Sequence, residues 1–220
     1  ARSTKFATDF LQAPHHKPFF LACGLFRPHL PWYVPEEFFS LYPLDKIQLP
    51  AVRSDDLDDL PSEGQQLAKA RRSDWNAIKN QQKWKHAIRA YLASISYADA
   101  QLGKILSTLD ASPYAKNTIV VLWSDHGWHL GSKDHWHKST LWEEATRVPL
   151  IIDAPGLRPS ACDAPVSLLS IFPTLLDLCG QPIPDELDGS SLVPLLKNSH
   201  APWVEPAVIE FRRGNAAVRD

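Results

Sequence analysis

Apolar and polar positions along this chain follow two different periods, and the two alternate. Short β-branched or aromatic runs give way to stretches in which apolar residues recur every three or four positions, which predicts an α/β fold class. Lys17–Gly24 reads as a fully buried strand, Thr118–Trp123 as a second and Val148–Ile152 as a third, closed by Pro155–Gly156. Val208–Phe211 reads as a further strand, with another beginning at Ala216. Between them, Trp84, Ile88, Tyr91, Leu92, Ile95, Leu102, Ile105, Leu106 and Leu109 predict one amphipathic helix from about Asn80 to Leu109. Pro35 is expected to open a short helix through Leu41 with Glu36 and Glu37 in its first turn. Ser170–Cys179 reads as a helix that tolerates Pro173 near its start and stops at Gly180. Asp188–Ser191 would cap a last short helix through Leu196, and Thr140 with Glu143 would form a capping box. Residues 43–75, rich in proline, aspartate and serine, are expected to form a long surface loop. There is no internal repeat.

One strand ends in chemistry. The run Ser124-Asp125-His126-Gly127-Trp128-His129-Leu130-Gly131 places a carboxylate and an imidazole together where an interior strand stops. In open α/β sheets ligands bind beyond the carboxyl ends of strands, so Asp125 and His126 are candidates for a metal or anion site. Four of the nine histidines lie between His126 and His137, alongside Lys133, Asp134 and Lys138. For His129, His135 and His137 singly, a solvated loop and a pocket wall both remain open readings. Helix capping accounts for Glu143 and Glu144.

Composition narrows the partners. A formal net charge of −2 gives no reason to expect nucleic acid, and no apolar run approaches the ~20 residues of a membrane span. No signal peptide follows Ala1-Arg2-Ser3-Thr4-Lys5. Cys23, Cys162 and Cys179 make neither a disulfide framework nor a paired-cysteine zinc site. With no methionine and incomplete patterns at both ends, the chain reads as an internal fragment, residues 1–220 of a catalytic domain truncated on both sides.

Several of these motifs, in this order, resemble the second half of a type I sulfatase, closest to the iduronate-2-sulfatase-like branch. They are Ser124–Gly131, Trp136-His137-Lys138 and Glu144-Ala145-Thr146-Arg147-Val148-Pro149-Leu150, with Lys17–Leu21, Arg27-Pro28-His29-Leu30-Pro31, Ser170–Leu175 and Asp188–Leu192. The resemblance implies an alkaline-phosphatase-like mixed sheet flanked by helices on both faces. It implies that Asp125 and His126 ligate a divalent cation, that Lys138 and His29 act on the sulfate oxygens as catalytic and substrate-binding groups, and that Trp128 lines the sugar pocket. Pro28 and Pro31 would hold the His29 imidazole still. The substrate would be a sulfated saccharide or another small sulfate ester.

The resemblance favours Ca2+, whereas an imidazole ligand suits Zn2+ or Mn2+ better than the oxygen-seeking calcium ion. The same residues would also suit a phosphonate or phosphodiester hydrolase of that superfamily, or a non-catalytic metal-binding derivative. The family's nucleophile, a formylglycine made within Cys-x-Pro/Ala-x-Arg, would lie before Ala1. Cys23-Gly24-Leu25-Phe26-Arg27 has leucine at the third position and is not that motif. Ser132-Lys133 stands where family members often carry a glutamate followed by histidine or lysine. A periplasmic or secreted location would follow, with the export signal upstream.

Overall fold

The computed structural model describes residues 1–69 and 73–220. In chain order its helices are α1 (Arg2–Gln12), α2 (Glu36–Ser40), α3 (Ser62–Lys69), α4 (Ser73–Asn80), α5 (Trp84–Asp110), α6 (Glu143–Thr146), α7 (Ile171–Leu178) and α8 (Val193–Lys197). The strands are β1 (Val120–Trp123), β2 (His129–Leu130), β3 (Trp136–His137), β4 (Leu150–Asp153), β5 (Ala207–Glu210) and β6 (Ala216–Arg219). The chain divides into two units: Ala1–Lys116 with His129–Trp136, and Asn117–Trp128 with His137–Asp220.

The first unit is organised on α5. Its apolar stripe turns Ile88, Ala93 and Leu109 inward. Helix α1 lies against it and buries Thr4, Ala7 and Leu11, a spacing of three and four that marks one helical face. Helix α2 is tied to α5 by Arg89, whose guanidinium donates to the Phe39 carbonyl, and by Tyr42 and Ser96, whose hydroxyls lie 2.6 Å apart. The core joins Ile47, Trp75, Ile88 and Trp136, with Trp32, Trp84 and Leu130 packed on it. Trp75 and Trp136 stack nearly parallel at 6.0 Å, and Trp84 meets Trp75 edge-on at 4.9 Å.

In the second unit β1 and β4 pair antiparallel, with Val121 opposite Ile152 and Trp123 opposite Leu150. Strands β5 and β6 form a second antiparallel ribbon, Val208 opposite Val218. Helix α7 ends as its glycine suggests: the Gly180 N–H reaches the Asp177 carbonyl and the Gln181 N–H the Leu176 carbonyl, a Schellman closure. The Asp188–Ser191 turn folds back on α7, where Ser191 donates to Asp177 at 2.6 Å and Thr174 Oγ1 accepts from the Leu192 N–H at 2.8 Å. Ser191 Oγ also accepts from the Val193 N–H, but the N-cap of α8 is Leu192, which carries no side-chain cap, so the expected cap from Asp188–Ser191 is absent.

Four further expectations change. Lys17–Gly24 is extended but has no ladder partner among the described residues, and Phe20 is 83% exposed, so it is not a buried strand. Strand β1 is half-buried rather than dry, with Trp123 48% exposed, because among the described residues only β4 covers it. Residues 43–75 hold a 3-10 turn at Leu44–Lys46, helix α3 and the start of α4; only 70–72 of that stretch lie outside the described residues. The capping box is absent: α6 starts at Glu143 with Trp142 at its N-cap and no side-chain cap, while Glu143 faces Arg147 at 3.7 Å and Arg219 at 3.8 Å.

Candidate active site

The chain leaves β1 at Trp123 and turns at once. Ser124 Oγ donates to the His126 carbonyl at 2.9 Å, closing a small loop around Asp125. The next residue has to be glycine. The Gly127 N–H donates to the Ala145 carbonyl at 2.8 Å, and a Cβ at Gly127 would run into the Glu144 backbone. The Asp-His-Gly run and the Glu144–Arg147 segment, separate in sequence, are thus two sides of one close backbone contact.

That contact fixes the imidazole. His126 Nδ1 lies 2.9 Å from the Gly127 carbonyl, which can only accept, so Nδ1 carries the proton and Nε2 presents its lone pair. Lys138 Nζ lies 2.7 Å from that Nε2 and donates to it. Asp125 Oδ2 is 3.8 Å from the same nitrogen, on a side chain that is 76% exposed and can turn toward a ligand at little cost. Trp128 stands beside the group, 6.2 Å from the His126 ring and 5.8 Å from the His137 ring. Asp125, His126, Trp128, His137 and Lys138 therefore share one neighbourhood of the second unit.

The backbone around Lys138 is unusual. His137 (φ 63°) and Ser139 (φ 79°) both adopt the left-handed conformation. Each such non-glycine residue costs on the order of 1–3 kcal/mol, and strain of this kind gathers where the surroundings dictate side-chain aim.

His29 belongs to the first unit, in a braced loop. Its N–H donates to the Phe26 carbonyl at 3.1 Å, and Trp32 Nε1 donates to the Pro28 carbonyl at 2.8 Å. His29 Nδ1 donates to the Leu30 carbonyl at 2.8 Å, so its Nε2 is the proton-accepting nitrogen.

Two histidines left open by the sequence are core residues. His129 is fully buried, 3.0 Å from Ser132 Oγ through Nδ1, and its ring meets the buried His135 ring edge-on at 5.0 Å. Lys133 is latched elsewhere: its N–H and Nζ bind the Asp56 carboxylate at 2.8 and 2.7 Å. Nothing in the sequence marked Asp56 as its partner, because it sits in the acid-rich stretch expected to be loop. Burial pushes the Cys23 thiol up, away from the reactive thiolate, and its Sγ donates to the Ser3 carbonyl.

A carboxylate and an imidazole with its Nδ1–H already committed form a donor pair that divalent cations accept. No group of three or more His, Cys, Asp or Glu converges among the described residues.

The chain is similar to known proteins over most of its length. The sulfatase family model matches residues 1–181. A sulfatase of Formosa agariphila is 45% identical over 209 residues, covering 93% of this chain and 41% of its own. The human iduronate 2-sulfatase is 35% identical over 203 residues, covering 76% of this chain and 37% of its own. Among solved structures, the phosphonate monoester hydrolase of Silicibacter pomeroyi superposes with a TM-score of 0.78 at 28% identity, over 93% of this chain and 43% of that one. The chain thus spans about two fifths of the length of the curated relatives it matches.

Proposed function

The chain belongs to the sulfatase family, and from that premise we propose that its parent protein hydrolyses sulfate esters of a sulfated carbohydrate, in the manner of an iduronate-2-sulfatase-like enzyme. The observation that carries this reading is the join between Lys138 and His126, a 2.7 Å contact beside Asp125 at the end of β1. A sulfate ester is an anion whose leaving alkoxide needs a proton or a nearby positive charge. Lys138 offers both, as a mobile ammonium donor. Asp125 Oδ and His126 Nε2 would hold part of the shell of a divalent cation, Ca2+ on the family resemblance, with Zn2+ or Mn2+ as alternatives. Such a cation, when bound, supplies Lewis-acid stabilisation of the sulfate oxygens. Were His126 Nε2 to hold such a cation, the Lys138 ammonium that now donates to it would be available to the ester. Trp128 gives a flat wall for a sugar ring, and His29 Nε2 is a second group able to accept or return a proton. The attacking formylglycine is assigned to the part of the parent outside this sequence. Export to the periplasm or the medium fits the family; among the described residues no helix is long and apolar enough to cross a membrane.

A second reading has its own support. The solved structure that superposes with a TM-score of 0.78 is a phosphonate monoester hydrolase, and a cation with a lysine would stabilise a phosphonate as well as a sulfate. Steady-state rates of the full-length parent on matched 4-nitrophenyl sulfate and 4-nitrophenyl phenylphosphonate separate the two. We expect a higher kcat/KM on the sulfate, and stoichiometric calcium by elemental analysis. A preference for the phosphonate would replace the reaction assignment, zinc or manganese without calcium would replace the metal assignment, and a parent inactive on both would make this a non-catalytic derivative.

A further inference from the structure

We infer that the first unit carries a second, non-catalytic subsite for a sulfated sugar, in the cavity between the Leu44–Leu49 segment and the α4–α5 junction. The inference rests on the reading of the parent as a carbohydrate sulfatase only for its ligand class; the cavity and its charge are properties of this chain. It measures about 360 Å3, within the range of small-ligand pockets, roughly 300–1,000 Å3. Its floor is apolar: Leu44, Leu49, Ile78 and Trp84. Lys79, Lys85 and His86 also line it, with no acidic residue in the lining.

That combination suits one kind of molecule. A pyranose ring presents C–H faces to apolar and aromatic walls, and sulfate esters on its edge seek lysine and imidazole N–H donors. The charge of the lining is not the average of the chain. The whole sequence holds 25 acidic against 23 basic residues, yet from Trp75 to Ala98 there is no Asp or Glu, while Lys79, Lys83, Lys85 and Arg89 all fall there. Lys79 already faces Asp134 at 3.5 Å and the Trp75 ring at 5.2 Å. Lys85 and His86, both exposed, are therefore the residues expected to grip the sulfate. The wall they stand on is set: Trp84 Nε1 donates to the Leu130 carbonyl at 2.9 Å, which holds the indole at one angle.

The test uses the full-length parent protein and a heparin-derived hexasaccharide. Titration calorimetry should show the Lys85→Ala/His86→Ala double variant binding it about five- to tenfold more weakly, with a shallower salt dependence. Lys85→Arg should restore the single Lys85→Ala loss, and kcat/KM on 4-nitrophenyl sulfate should be unchanged throughout. An unchanged hexasaccharide Kd overturns the subsite, as does an equal loss on the aryl sulfate, or an equal loss with desulfated hexasaccharide. A parent that cleaves no sulfate ester but binds the hexasaccharide through Lys85 and His86 keeps the subsite and removes the catalytic reading. One that cleaves aryl sulfate with a hexasaccharide Kd indifferent to Lys85 and His86 does the reverse.

Discussion

At Gly127 a missing side chain does as much as the present ones nearby. The Glu144–Ala145 backbone crosses where its Cβ would stand, and the same residue's carbonyl sets the His126 tautomer. Gly127→Ala must push these segments apart and turn the imidazole. We expect at least a hundredfold loss of turnover in the full-length parent together with a lower thermal midpoint, a pairing that a purely local lesion would not give. His126 and Lys138 should separate by a different readout. His126→Ala removes a proposed ligand and should lower bound metal, while Lys138→Ala should leave metal content intact and still cost about a hundred- to a thousandfold in kcat. Elemental analysis of the two purified variants checks this. Asp125 and His126 stood out in the sequence as an acid and an imidazole together at a strand end, whereas Lys138 was indicated only by the family resemblance. His129 and His135 did not stand out as core residues, since burial is a property of tertiary packing and the sequence shows only their clustering.

Helix ends and loop latches hold the elements that carry these side chains. Helices α4 and α7 close the same way. Lys83 N–H reaches the Ile78 carbonyl and Gln82 N–H the Lys79 carbonyl, as Gln181 and Gly180 do in α7. The left-handed position is glycine in α7 but Gln82 (φ 54°) in α4. Gln82→Gly should therefore stabilise the protein by about 0.5–1 kcal/mol, read as a higher urea midpoint. The long helix was expected from about Asn80, and α5 starts at Trp84, just after a left-handed glutamine that apolar spacing does not reveal.

The Asp56–Lys133 latch makes a prediction in pH. Burial pushes the Asp56 carboxyl up, but the Lys133 side-chain and backbone hydrogen bonds outweigh it and hold the group below its ordinary value of 3.8. A lowered folded value means the stabilisation is complete above the unfolded value and fades as pH falls through the folded one. Asp56→Asn should cost about 1–3 kcal/mol at pH 7, and the gap from the native protein should shrink as the buffer is taken toward pH 3. A constant gap would show that the carboxylate's charge is not what Lys133 needs.

On the scale of the molecule, alternation of periods was enough for the α/β class, and the ordered motifs were enough for the family. What they could not supply was pairing. The Lys17–Gly24 run reads as a buried strand from composition alone, but a strand also needs a neighbour, and among the described residues it has none. The face of α1 at Thr4, Ala7 and Leu11 was readable in principle, though a threonine, an alanine and a single leucine give a weak signal beside the leucines and isoleucines of α5. The sequence motifs met where the backbone made them meet, at Gly127 against Glu144 and at Leu192 against Thr174.

The central claim is that Asp125, His126 and Lys138 form one working group on a sulfate ester. Its most direct test is the kcat/KM of the full-length parent on 4-nitrophenyl sulfate, measured for the native protein and for Asp125→Ala, His126→Ala and Lys138→Ala. Each variant should fall by a hundredfold or more while keeping the native thermal midpoint within a few degrees. Turnover that survives all three substitutions would contradict the account.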